Sequence, residues 1–363
     1  MLTDDKYYKK IVKKIDENIK SITVSNRAII NYAVDDLIKG GGKKLRPFLL
    51  FLAASFGDYD KKVLLDLGSG IEILHMASLV HDDIIDNAEL RRGQKTAQKK
   101  FGEKEAVFIG DFLLTKTFDV FFEHLDKDTL KRISKNIRFI CEGEIEQAEK
   151  AFDFQITIKD YFKRIRHKTA LLFALSSYLG AYVSGIRGKK LNILYKFGLE
   201  IGMAFQIKDD ILDFEGEEKH TGKRSAQDLR KGILTLPVIL LLKKEKYREK
   251  YRFLLKINPG NYLNSEKELT KFNYPKQKRK YINTNNSADK KIEDIYLFKK
   301  STLNDQIVEQ LLTDVSESNV LDESKDILKK FIVRVNSYLI YLPDNRTKNK
   351  LKKLIDLQIK RNF

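Results

Sequence analysis

Two acidic clusters far apart in the chain share one spacing. Asp82-Asp83-Ile84-Ile85-Asp86 follows the apolar run Ser78-Leu79-Val80-His81, and Asp209-Asp210-Ile211-Leu212-Asp213 follows Phe205-Gln206-Ile207-Lys208. On a helix, residues four apart share a face, so Asp82 pairs with Asp86 and Asp209 with Asp213, while Asp83 and Asp210 are turned aside by about 100°. Carboxylates held this way repel one another and are costly beside apolar surface unless a cation offsets them. Oxygen-only ligands of this kind suit Mg²⁺, which keeps several waters and is shared with substrate phosphates. Facing one another across a cavity, the two pairs can grip one diphosphate through bridging metal ions. A single cluster would read as a solvated helix end; two copies with identical spacing do not. His81, a lone histidine beside acids, reads as an ordinary hydrogen-bonded residue and receives no catalytic role.

Cations stand near both clusters. Gly40-Gly41-Gly42-Lys43-Lys44-Leu45-Arg46-Pro47 closes a helical segment, Arg91-Arg92-Gly93 follows Asp86 closely, and Lys168-Thr169 opens an uncharged stretch. Alone, the glycines suggest a helix C-cap and the cations a solvated surface. Together they bring backbone and positive charge to an anion, and so provide for a second diphosphate.

The elements that must position these groups are helices. Apolar residues recur at helical spacing over about 26–39, 64–86, 104–125, 128–152, 158–186, 190–214, 236–256, 304–341 and 346–361, and no long stretch alternates as a strand would. The fold class expected is all-α: a single domain over 1–363, central helices around a deep cavity, and one basic, loop-like insertion at about 257–291. The net charge of +18 raises nucleic acid as a partner, but seventeen Lys/Arg against seven Asp/Glu fall between Lys243 and Lys300, a distribution that argues against it. A peripheral contact with an anionic membrane fits that segment better. The single cysteine, Cys141, and the charged residues of 1–20 point to a reducing, cytoplasmic setting. Thr169–Ile186 carries no charge but contains Ser176, Ser177, Gly180 and Ser184, which reads as a buried core helix and not a membrane span.

The chain resembles the trans-type polyprenyl diphosphate synthases, long-chain branch. The resemblance rests on Gly41-Gly42-Lys43-Lys44-Leu45-Arg46-Pro47, on Glu72-Ile73-Leu74-His75 leading into the first acidic cluster, and on Arg91-Arg92-Gly93. It continues through Gly110-Asp111-Phe112-Leu113-Leu114, Lys168-Thr169-Ala170, Phe205-Gln206 before the second cluster, and Thr221-Gly222-Lys223 before Asp228-Leu229. It implies a Mg²⁺-dependent transferase of the all-α isoprenoid-synthase type, a homodimer, condensing isopentenyl diphosphate with an allylic diphosphate. Lys43, Arg46, His75 and Arg92 would hold isopentenyl diphosphate. Asp82, Asp86, Asp209 and Asp213 would bind Mg²⁺ with Asp83 and Asp210 in support; Arg91, Lys168 and Lys223 would contact the allylic diphosphate. Thr169 and Gln206 would line the reacting carbons.

Three positions depart from the family pattern: Lys44 replaces an arginine, Ala226 a glycine, and Ile233 a lysine found in many members. The resemblance also says that short-product members place an aromatic residue about one turn before the first cluster. Ala77 and Ser78 stand there and leave room for a long product, with Phe118, Phe121, Phe122 and Phe139 as candidates for a deeper floor. A terpene cyclase would also use acidic clusters and Mg²⁺ but has little need of Lys43, Arg46 and His75. A partner-dependent subunit of a heteromeric synthase is the alternative that keeps the whole site.

Overall fold

The computed structural model describes residues 5–215, 226–255, 272–273 and 302–359. Contacts divide the chain into two compact units: Met1–Arg138, Thr169–Gly202 and Ile332–Lys360 form one, and Phe139–Lys168, Met203–Phe331 and Arg361–Phe363 the other.

The first unit contains α1 (Lys6–Ile22), α2 (Ala28–Lys39), α3 (Leu45–Ala54), α4 (Lys61–Ile85), the two-residue strands β1 (Leu90–Arg91) and β2 (Gln94–Lys95), α5 (Ala97–Phe101) and α6 (Glu103–His124). It also takes the first part of α7 (Lys127–Glu149), α9 (Leu171–Val183), the first part of α10 (Gly188–Glu215), the last part of α16 (Val320–Leu339) and α17 (Arg346–Ile359). Its core gathers Leu50, Leu64, Leu67, Ile71, Leu74, Val120, Phe121, Leu172, Leu175 and Leu179, from α3, α4, α6 and α9. Helix α4 packs along α6, and α3 along α9. The second pairing depends on Gly180, where a Cβ would stand 2.0 Å from the Leu50 carbonyl oxygen. The uncharged stretch that begins at Thr169 becomes α9, and Leu171 to Ala181 are all buried, so it is a core helix as its small polar residues suggest. Helix α4 is long and apolar enough to cross a bilayer, but 67% of that stretch is buried in the protein.

Three helices here, α1, α3 and the short α5, fall outside the segments expected from the sequence. Helix α1 buries Tyr8, Ile11, Ile15 and Ile19, with Asp5 capping it through the Tyr7 amide at 2.8 Å. Helix α3 carries Pro47 in its first turn, where its missing N–H costs nothing.

The second unit contains the rest of α7, α8 (Ile158–Ile165), the remainder of α10, α11 (Gln227–Arg230), α12 (Leu236–Lys243), α13 (Glu245–Lys250), α14 (Arg252–Leu255), α15 (Asp305–Glu317) and the first part of α16. Helix α8 begins with a capping box between Thr157 and Asp160, and Lys150 reinforces it at 2.9 Å from Asp160. The expected helix 158–186 is interrupted: Arg166–Ala170 form a single π-helical turn. The expected 304–341 breaks after Glu317 into α15 and α16. Tyr251, fully buried, donates to Asp314 at 2.5 Å, and Lys250 meets the same carboxylate at 2.7 Å. Of the basic segment 257–291 only β3 (Phe272–Asn273) is described; it pairs antiparallel with β4 (Thr302–Leu303), and the expected loop otherwise lies outside the described residues.

Candidate active site

In the first unit, the turn from α2 to α3 delivers the cations. Gly41 takes a left-handed φ of 69°, and its amide returns to the Ile38 carbonyl at 3.1 Å, closing α2 as a glycine C-cap does. Lys44, itself left-handed at φ 39°, opens α3. Its ammonium is buried and pairs with Asp16 at 3.3 Å and Glu72 at 3.4 Å. The lysine that replaces the family's arginine is therefore committed to an internal ion pair joining α1, α3 and α4. Lys43 stays exposed, and its carbonyl accepts from the Tyr8 hydroxyl. Arg46 lies half-buried with its guanidinium 4.8 Å from the Phe173 ring centre.

The hairpin of β1 and β2 brings in the second pair of cations. Arg92, left-handed at φ 51°, donates to the Gly41 carbonyl, which ties the hairpin to the glycine turn. Arg91 donates from Nε to both oxygens of Asp83, at 2.9 and 3.0 Å, and from Nη2 at 2.9 Å. His75, on α4, sits among these groups: burial first, and then Arg46, Arg91, Arg92 and Lys44, hold its imidazole well below the usual value near 6.5. Neutral at pH 7, it can donate a hydrogen bond to an anion that Arg46 and Arg92 attract.

The first aspartate pair stands at the C-terminal end of α4, with Asp82 partly exposed and Asp86 exposed as the C-cap residue. A helix C-terminus carries partial negative charge, so carboxylates there raise the local demand for a cation. Asp83 faces inward, is buried, and braces Arg91. His81 reaches from α4 to Asp111 on α6, Nε2 to Oδ1 at 3.3 Å. The close approach needs Gly110, where a Cβ would stand 2.2 Å from the His81 Nε2. One turn earlier, Ala77 is buried and Ser78 returns its hydroxyl to the His75 carbonyl at 2.8 Å, so neither presents bulk. Among the candidates for a floor, Phe121 is core, Phe118 stacks on Phe122, which is 66% exposed, and Phe139 belongs to the second unit, stacked on His167.

In the second unit, Asp209 and Asp213 lie partly exposed near the C-terminal end of α10. Asp210 is buried beneath them, accepting from the Tyr161 hydroxyl at 2.7 Å and from Gln206 Nε2 at 2.8 Å. Burial outweighs these two donors and raises its carboxyl to about 7. The amide nitrogen of Gln206, expected beside reacting carbons, is thus occupied by this aspartate. Lys168 lies in the π turn, a feature frequent at functional sites, and its ammonium meets Glu144 at 3.0 Å and Gln147 at 3.5 Å. Thr169, the next residue of that turn, is buried and belongs to the first unit. Lys223 and the preceding Thr221-Gly222 lie outside the described residues. Ala226, at the family's glycine position, is left-handed at φ 56°, which accounts for the preference for glycine there.

Asp83 and Asp210, expected to be turned aside and in support, are both buried in the structure. Asp83 braces Arg91 and Asp210 accepts from Tyr161 and Gln206, while Asp82 with Asp86 and Asp209 with Asp213 lie nearer the surface. Among the described residues no three His, Cys, Asp or Glu side chains gather into a ready-made metal cage. Paired carboxylates at a helix end fit a hard cation that shares its coordination with phosphate oxygens, as Mg²⁺ or Ca²⁺ can. Asp111, Glu144 and Tyr161 were not selected from the sequence; only Asp111 had a local signal, the Gly110-Asp111 dipeptide.

An all-α protein with two acidic pairs at helix ends and a separate cluster of cations is built to handle anionic, metal-associated substrates. The chain belongs to the polyprenyl synthetase family, whose pattern matches residues 27–271. It is, accordingly, a prenyltransferase. It is 39% identical to component 2 of the heptaprenyl diphosphate synthase of Geobacillus stearothermophilus, over 64% of this chain and 73% of that one. The crystal structure of heptaprenyl diphosphate synthase from Staphylococcus aureus superposes with a TM-score of 0.81 at 28% identity, covering 98% of this chain and 99% of that one. A polyprenyl synthase of Caulobacter crescentus, solved with calcium and isoprenyl diphosphate, matches with a TM-score of 0.76 at 27% identity, over 98% and 96% of the two chains.

Proposed function

We propose that this chain condenses isopentenyl diphosphate with an allylic diphosphate to make a long-chain, all-trans polyprenyl diphosphate. The observation that carries the reading is His75, held neutral among Lys44, Arg46, Arg91 and Arg92 beside an intact aspartate pair. A cyclase acting on one diphosphate has no use for that second anion pocket.

Lys43, Arg46 and Arg92 bind the diphosphate of isopentenyl diphosphate, with His75 donating a hydrogen bond. Asp82 and Asp86, and Asp209 and Asp213, are the residues that hold Mg²⁺, with Asp83 and Asp210 bracing their neighbours. Held by these aspartates, Mg²⁺ would supply charge neutralisation for the allylic leaving group. Arg91, Lys168 and Lys223 add positive charge at the same diphosphate, and the oxygens of Thr169 and Gln206 favour the allylic cation as the C–O bond breaks. The isopentenyl double bond then forms the new C–C bond, and the proton released passes to the departed diphosphate. Holding both substrates together removes several kcal/mol of entropic barrier, on the order of 7 or more at best.

The small residues Ala77 and Ser78 and the heptaprenyl relatives support a long product. The protein acts in the cytoplasm as a homodimer, with exposed Val107, Phe108 and Phe122 on α6 as a self-association face, and touches the membrane peripherally. The name of the Geobacillus relative favours a second reading, in which a partner subunit is required. Replacing Asp82 with Ala and following labelled isopentenyl diphosphate tests the assignment: incorporation is lost with helical circular dichroism intact. Unchanged incorporation refutes it.

A further inference from the structure

We propose that α10 and α16 together form a docking face for an anionic lipid bilayer, with Val333, Ile340 and Tyr341 entering the interface and Lys189 and Lys196 meeting the headgroups. The two helices run side by side: Arg334 Nε meets Glu200 at 3.0 Å, and Lys189 lies 5.5 Å from the Tyr341 ring centre. Moving from 334 on α16 to 341, just past its end, thus means moving back along α10 from 200 to 189, an antiparallel pair.

Its solvent side is apolar at one helix and cationic at the other. Val333 is 68% exposed, Ile340 77% and Tyr341 59%; Ile340 exceeds every other large apolar side chain among the described residues. Val333 lies in the last two turns of α16, and Ile340 and Tyr341 in the turn that directly follows it. Lys189 and Lys196 on α10 are exposed, with exposed Arg187 just before them. From Gly185 to Leu199 the chain has four basic residues and no acidic one, and Glu200, the first acid reached, is paired with Arg334. Of the acids beside Tyr341, Asp344 is paired with Lys348 at 2.9 Å.

Charge decides the occupant. A second copy docked through this face would set its own lysines against Lys189 and Lys196, whereas an anionic bilayer attracts them and takes in an aromatic and two aliphatic side chains. An aromatic ring beside lysines is the composition of an interfacial anchor. The inference rests on this surface and not on the prenyl-transfer reading, so the two fail separately.

The full chain is centrifuged with vesicles of phosphatidylcholine, with and without phosphatidylglycerol, alongside two variants, Lys189→Ser/Lys196→Ser and Ile340→Ser/Tyr341→Ser. Wild type binds the anionic vesicles and little of the neutral ones. At roughly fivefold per cation the lysine variant binds the anionic vesicles about 25-fold more weakly, and the apolar variant at least about tenfold more weakly. Melting temperature and isopentenyl incorporation with a short, water-soluble primer stay at wild-type levels in both. Absence of wild-type binding, or equal binding by wild type and variants, overturns the proposal. So does a change of oligomeric state in either variant, which would make the face a contact between copies.

Discussion

Replacing Asp210 with Asn should change how the stability of the metal-free protein depends on pH. In the fold its carboxyl lies at about 7 against an ordinary 3.8, chiefly because burial penalises the charged form. The folded protein therefore holds a proton that the unfolded chain has released throughout this window. Stability on this account is fully present below about pH 4 and is lost progressively as pH rises through about 7. The interval from 3.8 to about 7 amounts to about 4 kcal/mol at ~1.36 kcal/mol per pH unit. Asn keeps the volume and cannot ionise, so the variant lacks this dependence. Its amide must still meet the Tyr161 hydroxyl and the Gln206 side chain, which adds an offset that does not vary with pH. Urea unfolding of both proteins in chelator, from about pH 4 to pH 8, reads the difference. The expected result is a wild-type stability that falls by up to about 4 kcal/mol relative to Asp210→Asn. A flat difference, or one that grows with pH in favour of the wild type, refutes the assignment of a protonated buried Asp210.

Gly110→Ala should cost about 1–3 kcal/mol by overpacking, since its Cβ would meet the His81 ring at 2.2 Å. A melt locates that loss, and a lower incorporation rate reports the displacement of neighbouring Asp82. Lys44→Met should leave Glu72 buried without its cation and destabilise by about 3–5 kcal/mol, measured by urea unfolding. Ser78→Phe should shorten the product, because an aromatic ring then projects one turn before Asp82; an unchanged product distribution would count against that geometry.

The two acidic clusters were legible because helix geometry turns a four-residue spacing into a shared face without any tertiary knowledge. The core helix after Lys168 was legible for a similar reason, since an uncharged run containing serines and glycines is poorly suited to lipid. Helix α1 escaped because lysines are interleaved with its apolar residues, although Ile11, Ile15 and Ile19 recur every four positions and are buried. Helix α3 is so short and so apolar that it has no periodicity to read. Helix geometry turned Asp83 and Asp210 away from the shared face, but the partners that hold them were not legible. Asp83 and Asp82 look alike in sequence, and only the fold brings Arg91 to one of them. Asp210 depends on Tyr161, which lies 49 residues away. Long-range partners of this kind leave no local trace. The same holds for Lys44, whose replacement of arginine looked like a change in the site and is an ion pair in the interior.

The central claim is tested most directly by giving the purified chain, alone, isopentenyl diphosphate, Mg²⁺ and a series of allylic primers, and sizing what it makes. The account expects Mg²⁺-dependent formation of all-trans polyprenyl diphosphates longer than the geranylgeranyl product. Absence of incorporation by the isolated chain with every primer, or a product that stops short, would contradict it.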